Sequence, residues 1–424
     1  MFRKGSFTKN VAVLMSGTAI SQGILIAAAP ILSRLYTPDA YGIFTLFTSI
    51  VIILSVVATW RYELAIVLPK KDEDAVNVMM LSAFCVVLTS LFSAILILFF
   101  GDWFVKVIDA ENLKPWLWWI PISIFATGIY QSLNYWSTRT KHFGEVSISR
   151  SVRSVGTVGV QIPVAFVNAG PVGLVSGYII GQVVASFALA VQILKKYKTL
   201  FKDSFQVQRT KELAKEYAEF PKYSSPQAFI NAVSQNIPSF LLAFYFGPEA
   251  VGLYSLSHRL LSMPITLITQ SVKQVFFQKS SEAYNNGQNV YKLLRKATLG
   301  LFGIGIIPSI VVILFGPPLF AFVLGAEWYD GGAYAQWMIS WLFFAFVNSP
   351  AFVVAQIYGF QKQLMYYEIG LFVFRAIALV IGGMYFTDLG SIALYSIVGA
   401  IYNGLLIYFV LQAAKKRQPE QQPA

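Results

Sequence analysis

The sequence carries little charge for its length and contains a single cysteine. Charged residues make up 12% of its 424 residues and hydrophobic residues 56%, whereas soluble domains carry about 25% charged residues. This composition excludes a soluble globular protein. Cys85 has no second cysteine to pair with, and the chain has only two histidines. An internal disulfide and a zinc site of cysteine and histidine ligands are therefore excluded, and we expect no metal and no other cofactor.

The sequence also lacks the residue patterns of catalytic sites. No grouping of serine, histidine and acidic residues suggests nucleophilic catalysis. Gly300, Gly303 and Gly305 resemble a glycine-rich loop. They lie inside an apolar stretch with no preceding strand, which favours close helix packing over nucleotide binding. We therefore predict that the protein is not an enzyme.

Long apolar stretches dominate the chain. Twelve of them are close to the roughly 20 residues that a helix needs to cross the hydrocarbon of a bilayer. They cover residues 10–33, 41–60, 76–99, 115–137, 147–168, 172–194, 224–246, 250–272, 297–316, 334–357, 363–386 and 389–412. No segment alternates in the manner of a barrel strand. The sequence predicts an all-α integral membrane protein with about 12 transmembrane helices.

A segment at the start of the chain recurs in its second half. Two pairs of short matches share one internal spacing: Phe-Thr-Lys at 7–9 with Ser-Gln at 21–22, and Phe-Pro-Lys at 220–222 with Ser-Gln at 234–235. In each copy an apolar run then leads to a short turn, at 37–42 and at 247–252. This repeat spans half the chain and predicts two similar halves.

The first apolar stretch has an alternative interpretation. Arg3 and Lys4 precede it and Ala27–Ala29 end it, as in a cleavable signal peptide. The copy at 220–246 lies in the middle of the chain, where no signal peptide can be. We therefore expect the first stretch to be a retained helix.

The net charge of +12 is distributed unevenly. With the amino terminus inside, 27 of the 32 lysines and arginines lie on the inner side, in the segments 1–9, 61–75, 138–153, 195–222, 273–296, 358–362 and 413–424. Basic residues stay on the cytoplasmic side of membrane proteins, so we predict that both termini lie in the cytoplasm. The charge reports topology, and we expect no nucleic-acid partner.

The longest segment outside the predicted spans is basic and falls where the repeat begins again. We interpret 195–222 as a cytoplasmic linker between six-helix lobes at 1–194 and 223–412, with a disordered cytoplasmic tail at 413–424. Residues 209–219 have helical composition and predict a helix along the anionic inner leaflet. Two parallel lobes with a substrate path between them are a recurrent plan of secondary transporters.

Charged residues within the spans are the first candidates for function, because an arginine at mid-bilayer costs roughly 2.5–3.5 kcal/mol on insertion scales. Arg259 and Arg375 lie well inside spans, and we expect both to face a wet cavity or an anion. Arg34, at a span end, could line the cavity or extend to the outer headgroups. His258, beside Arg259, is a possible proton-coupling residue, although its side chain points about 100° away.

Arg61 and Glu63 follow the second span. If its helix continues to Pro69, both residues lie inside the lobe near its cytoplasmic mouth. If the helix ends at Trp60, Arg61 is an ordinary anchor at the inner surface.

Polar side chains also recur in the first helix of each lobe. Such groups mostly bond neighbouring helices, but their matched positions indicate that these helices line the central path. They are Ser21, Gln22, Asn231, Ser234, Gln235 and Asn236.

A family resemblance enters at Tyr254, Arg259, Leu260 and Pro264, after the turn at 247–252. It extends to Pro38 and Gly42 after Arg34 and to the stretch from Arg61 to Ile66. These segments resemble the multidrug, oligosaccharidyl-lipid and polysaccharide exporter superfamily, and within it the polysaccharide transporters called Wzx or O-antigen flippases. Lipid II flippases of the same superfamily are similar too, but usually have two more helices.

The resemblance implies a flippase that moves undecaprenyl-diphosphate-linked oligosaccharide across the bacterial inner membrane by alternating access, for O-antigen, lipopolysaccharide or another surface polysaccharide. It implies contact with membrane lipids, a polysaccharide polymerase and a chain-length regulator. Guanidinium groups bind phosphate bidentately. We therefore expect a substrate-binding surface, with Glu63 holding Arg61 when the site is empty, formed by Arg34, Arg61, Glu63, Arg259, Arg375, Gln22, Asn231 and Gln235.

Two other functions stay open. A cation-coupled drug or metabolite antiporter would need a buried acid, for which Glu63 and Glu368 are the candidates, with His258 or Glu63 as the coupling group. A scaffold for polysaccharide assembly without transport would leave the arginines unexplained.

Overall fold

A computed structural model describes residues 4–417 of the chain, with side chains from residue 16 onward. Contacts divide it into two compact units, Met1–Val251 and Gly252–Ala424, here called unit 1 and unit 2. In the described residues, all regular elements are helices. This confirms the predicted all-α fold.

Unit 1 holds the helices α1 Lys4–Leu35, α2 Pro38–Ser55, α3 Asp72–Val107, α4 Lys114–Leu117, α5 Ile120–Arg139, α6 Phe143–Ala165, α7 Pro171–Ser204 and α8 Val207–Glu216. The helix α9, Ser225–Asn285, begins in unit 1 and continues in unit 2. Unit 2 adds α10 Val290–Leu324, α11 Tyr329–Val347, α12 Ser349–Ile357, α13 Gln361–Tyr385 and α14 Asp388–Lys416. Short 3₁₀ helices lie at Tyr62–Val67, Glu111–Leu113 and Ala326–Trp328, and a π-helical turn at Phe220–Ser224.

A helix lies at each of the twelve predicted spans. In the described part of the chain, eight segments are long and apolar enough to cross a membrane by length and composition: Ser16–Leu35, Pro38–Ser55, Asp72–Val107, Pro171–Ser204, Val290–Leu324, Ala326–Ile357, Gln361–Tyr385 and Asp388–Lys416. The other four predicted spans correspond to α5, α6 and the two parts of α9. Large apolar side chains such as Phe99 and Phe322 are 72% and 80% exposed, as expected of residues that contact lipid. The chain is a multi-pass membrane protein.

The duplicated segment has the same local structure in both copies. In the first copy α1 ends at Leu35 and α2 begins with Pro38. In the second copy Gly247 interrupts α9 with φ 79°, and Pro248 follows. Proline is favoured at the first position of a helix because its missing N–H is not needed there. Each copy is therefore a long helix, a short break and a new helix opened by proline.

The predicted linker at 195–222 is largely helical and packs within unit 1. The end of α7 joins the core of that unit, where Trp136 lies 5.6 Å from the Tyr197 ring and 4.9 Å from the Phe201 ring. The contacts divide the chain after Val251 and not at this linker. The division into two six-helix lobes stays a prediction.

The helix predicted near 209–219 is α8, and one face of it packs on α3. Arg209 forms two hydrogen bonds with the Asp74 carboxylate, of 2.7 and 3.0 Å. The Asn77 side chain donates to the Ser204 carbonyl and accepts from the Gln206 amide. Leu213 is buried in the core of unit 1. The helix therefore belongs to the packed protein, whatever contact it makes with the inner leaflet.

The prediction of a disordered tail from residue 413 is wrong for its first residues. Helix α14 continues to Lys416, and the Arg417 guanidinium lies 5.0 Å from the rings of Tyr358 and Phe360. These cation–π contacts and a hydrogen bond to the Tyr358 carbonyl hold the helix end. The rest of the predicted tail, 418–424, lies outside the described residues.

The contact between α6 and α7 depends on glycine, and this gives a test of the fold. A Cβ at Gly181 would overlap the Thr157 side chain and lie 2.8 Å from the Arg153 carbonyl. We expect Gly181→Ala to lower the free energy of unfolding by about 1–3 kcal/mol because the helices must separate. Gly159→Ala in α6 is the control, since a Cβ there meets nothing within 4 Å; it should be neutral or slightly stabilising. Equal effects of the two variants on thermal unfolding in detergent would contradict this packing.

Candidate functional site

The chain turns after α2, and this helix ends before the end of the predicted span 41–60. Helix α2 ends at Ser55, and a run of i to i+3 hydrogen bonds continues to the Tyr62 amide. Trp60 and Arg61 then have φ of 52° and 64°. Neither predicted alternative for this segment is correct: the helix does not continue to Pro69, and it does not end at Trp60. Left-handed backbone at a residue other than glycine costs about 1–3 kcal/mol and is found at functional sites.

Two neighbouring helices hold this turn in place. The Arg139 side chain, on α5, donates to the carbonyls of Ile66 and Pro69 at 3.2 and 2.7 Å. The Tyr62 hydroxyl donates to the Ala214 carbonyl of α8 at 3.0 Å. The segment that carries Arg61 is therefore fixed from both ends, although it lies outside helices α2 and α3.

Arg61 and Glu63 form an ion pair in this segment. The distance between Arg61 Nη1 and Glu63 Oε1 is 3.3 Å. Glu63 is 1% exposed and also accepts a hydrogen bond from the Thr59 hydroxyl. The Arg61 side chain is 28% exposed, and its Nε is buried with no hydrogen-bond partner in the described part of the chain. The carboxylate offsets part of the arginine charge and leaves donor capacity for another anion.

Arg61 opens onto a cavity of about 470 Å³ within unit 1. Two sides of the cavity come from the end of α2 and the turn, and the rest comes from the start of α9. The lining residues are Ile52, Val56, Arg61, Leu64, Ser224, Gln227, Ala228, Asn231, Ala232, Gln235 and Asn236. The cavity thus combines one guanidinium with four side-chain amides. Amides donate and accept hydrogen bonds, so this lining suits an anion that carries hydroxyl groups.

Three of the predicted site residues therefore line one cavity: Arg61, Asn231 and Gln235. Glu63 lies behind Arg61 as its ion-pair partner. Asn231 accepts a hydrogen bond from the Gln235 side chain, one helical turn later.

Gln22 and Arg34, on α1, are not among the residues that line this cavity. Gln22 is half-buried, and its neighbour Ser21 lies 2.5 Å from the Ser154 hydroxyl of α6. Arg34 is exposed in the last turn of α1, where a cation complements the helix dipole. Their part in binding stays a prediction.

Arg375 lies in an aromatic cluster inside unit 2. Its guanidinium carbon is 4.1 Å from the centre of the Trp341 ring and 4.5 Å from that of Tyr395. A Cβ at Gly399 would overlap the guanidinium, so the glycine is required for this close approach. Nε and Nη2 of Arg375 are buried without a hydrogen-bond partner among the described residues. Cation–π attraction therefore holds the side chain.

His258 and Arg259 are neighbours in the sequence but have different surroundings. The His258 ring stacks on Trp341 and on Tyr254, with centroid distances of 5.7 and 5.8 Å. Arg259 is exposed. His258 thus belongs to the aromatic cluster of Arg375, and the neighbouring arginine points elsewhere, as the helical rotation predicts.

Arg150 and Arg153 fall where the predicted inner segment 138–153 overlaps the predicted span 147–168, and α6, which begins at Phe143, includes both. Arg150 Nη1 donates to the Thr18 hydroxyl at 2.7 Å. Arg153 Nη1 lies 3.4 Å from Gln182 Oε1, and its guanidinium is 5.9 Å from the Tyr130 ring. A sequence signal was present, because the polar residues of this region recur at helical spacing: Ser147, Arg150, Ser151 and Ser154.

A family model described as "Polysaccharide biosynthesis protein" matches residues 31–331. The chain belongs to this family. The match includes the Arg61 turn, the α9 residues of the cavity and the region of His258 and Arg259. It confirms the resemblance to polysaccharide transporters seen in the sequence. No curated protein matches the sequence.

Solved structures show that this member of the family has the fold of the MOP superfamily transporters. The lipid II flippase MurJ in an inward closed conformation aligns with a TM-score of 0.69 at 15% identity, over 96% of this chain and 90% of that one. An inward-facing multidrug resistance MATE family transporter aligns with a TM-score of 0.62 at 16% identity, over 96% and 98%. A MOP superfamily transporter from Pyrococcus furiosus aligns with a TM-score of 0.59 at 14% identity, over 98% and 96%.

The aromatic cluster of unit 2 can be tested by a double-mutant cycle. We expect Arg375→Gln and Trp341→Leu to show a coupling free energy of about 0.5–2 kcal/mol, because each removes the same cation–π contact. The control pairs Arg375→Gln with Trp337→Leu, since Trp337 is exposed on the same helix α11. Unfolding by SDS titration in mixed micelles gives the free energies. Equal coupling in the two cycles would show that the Trp341 contact does not stabilise unit 2.

Proposed function

We propose that the protein is a flippase that translocates undecaprenyl-diphosphate-linked oligosaccharide repeat units across the bacterial inner membrane by alternating access, with both termini in the cytoplasm. The observation that carries the proposal is the cavity of unit 1, in which Arg61 lies among amide side chains. The product would be a cell-surface polysaccharide such as O-antigen. Membership of the polysaccharide biosynthesis family supports this class of substrate.

The chemistry of the cavity suits the proposed head group. A guanidinium presents a rigid fork of donors that matches phosphate oxygens, and the Arg61 side chain, 28% exposed, lines the cavity. The amides of Gln227, Asn231 and Gln235 could exchange hydrogen bonds with sugar hydroxyls. A cavity of about 470 Å³ is in the range of small-ligand sites, so it would take the diphosphate and the sugars next to it. The rest of the oligosaccharide would extend beyond it.

Glu63 would act as the internal counter-ion of the site. In the empty state it pairs with Arg61, which lowers the cost of a cation in apolar surroundings. An arriving diphosphate competes with the carboxylate for the guanidinium. The pair would therefore allow binding that is strong enough for recognition and weak enough for release.

Substitution of Arg61 tests the proposal directly. We expect Arg61→Gln to slow translocation of a labelled lipid-linked oligosaccharide in reconstituted vesicles by about tenfold or more, because hydrogen bonds to charged groups contribute about 1.5–3 kcal/mol. Arg61→Lys should be intermediate, since it keeps the charge and loses the fork. Lys70→Gln is the control: it removes a nearby exposed cation that does not line the cavity. Roles of Arg34, Arg259 and Arg375 in substrate binding stay predictions from the sequence. The proposal fails if neutralising these three together with Arg61 leaves translocation unchanged.

The buried carboxylate of Glu63 favours a second candidate, a cation-coupled drug or metabolite antiporter. Glu63→Gln separates the two functions. In the flippase, loss of the competing carboxylate should leave binding of the lipid diphosphate intact or tighter, seen as equal or greater stabilisation of the purified protein against heat. In the antiporter, cationic drugs should stabilise the wild type, and the same substitution should abolish that effect. Stabilisation by drugs alone would therefore contradict the flippase.

A further inference from the structure

Two cavities lie in unit 2, where α9 ends and α10 begins. One cavity, of about 430 Å³, is lined by Asn289, Tyr291, Lys292, Arg295, Lys296 and Leu299. The other, of about 520 Å³, is lined by Ser271, Val272, Val275, Phe276, Lys279, Leu293, Lys296 and Ala297. Lys296 lines both. The two cavities therefore adjoin at one lysine.

The first cavity is basic. Lys292, Arg295, Lys296 and Leu299 are spaced three and four residues apart and share one face of α10. With Lys279 from the second cavity, this region contains four cations. In the described part of the chain, none of the four forms an ion pair with a carboxylate. Like charges at this spacing destabilise a helix, so an anion bound among them would relieve the repulsion.

The second cavity is a largely apolar cleft between α9 and α10. Val272, Val275 and Phe276 come from α9, and Leu293 and Ala297 come from α10. Val275 is 57% exposed. The cleft thus offers exposed apolar surface directly beside the basic cavity.

The position of the cavities along α10 matches the boundary of a bilayer. The basic residues lie in the first two turns of the helix, and the apolar stretch 297–316 follows immediately. A ligand that spans both cavities would have its charge at headgroup depth and its apolar part against the hydrocarbon. Basic pockets between transmembrane helices bind anionic lipid head groups in this arrangement.

We propose that these two cavities form one binding site for an anionic phospholipid. Lys292, Arg295 and Lys296 hold the phosphate, and an acyl chain lies in the cleft beside Val275. The basic bias of cytoplasmic loops explains why cations are here. It does not explain their alignment on one helix face beside an apolar cleft, which the lipid site does. The occupied site would tie α9 to α10 and make the stability of unit 2 depend on membrane composition.

The test compares lipids that differ in charge and variants that differ in position. Delipidated protein in detergent is titrated with phosphatidylglycerol or phosphatidylcholine, and bound lipid is counted by native mass spectrometry. We expect preferential binding of phosphatidylglycerol. The variant Lys292→Gln/Arg295→Gln/Lys296→Gln should bind it at least about tenfold more weakly, since each basic residue near an anionic headgroup contributes roughly fivefold. The matched control, Lys362→Gln/Lys415→Gln/Lys416→Gln, removes the same charge elsewhere in unit 2 and should bind as wild type.

Three further measurements serve as controls. Soluble glycerol 3-phosphate should bind much more weakly than the lipid, because it cannot occupy the cleft. Val275→Ser keeps every charge. It should weaken the binding of phosphatidylglycerol and leave the binding of glycerol 3-phosphate unchanged. Thermal unfolding without lipid shows whether each variant is folded. Equal loss in the control triple variant, equal binding of the two lipids, or equal binding of the soluble headgroup would each overturn the proposal, whatever the outcome for translocation.

Discussion

The cost of placing a guanidinium among apolar helices is the constraint on which the functional parts of this protein depend. Each unit meets that cost differently. In unit 1 a buried carboxylate lies 3.3 Å from Arg61, and the arginine lines a polar cavity. In unit 2 two aromatic rings enclose Arg375 at 4.1 and 4.5 Å. A carboxylate can be displaced by another anion, whereas aromatic rings cannot be exchanged for a ligand. The first arrangement is therefore the better suited to reversible binding.

The Arg61 site is supported from the periphery of unit 1. Tyr62 is hydrogen-bonded to α8, and α8 is fixed to α3 through Arg209 and Asp74. Arg139 holds the other end of the same segment through two carbonyls. The basic segment 195–222, predicted as a linker, thus helps to position the cavity. Movement of α8 would reach Arg61 through the hydrogen bond of its neighbour Tyr62.

The sequence predicted where the helices lie but not where each helix begins and ends. Apolar length predicts spans well, because a bilayer requires about 20 such residues whatever the neighbours are. The end of α2 at Ser55 and the start of α6 at Phe143 depend on tertiary contacts, and hydropathy does not register them. The same holds for the packing of α8 and the order of Arg417. Of the predicted site, Arg61, Asn231 and Gln235 line one cavity. The charge pattern had indicated the arginine, and the repeat had indicated the two amides. The aromatic cluster of Arg375 joins residues far apart in sequence, and no local pattern indicates it.

The left-handed backbone at Arg61 has a practical consequence for protein engineering. At φ 64° the backbone alone favours glycine or asparagine, because neither pays the full steric cost of that conformation. A library sorted only for survival in detergent would therefore tend to replace this arginine. The variants most stable in detergent would be those that had lost the cation of the cavity. They would suit structural work but would transport poorly.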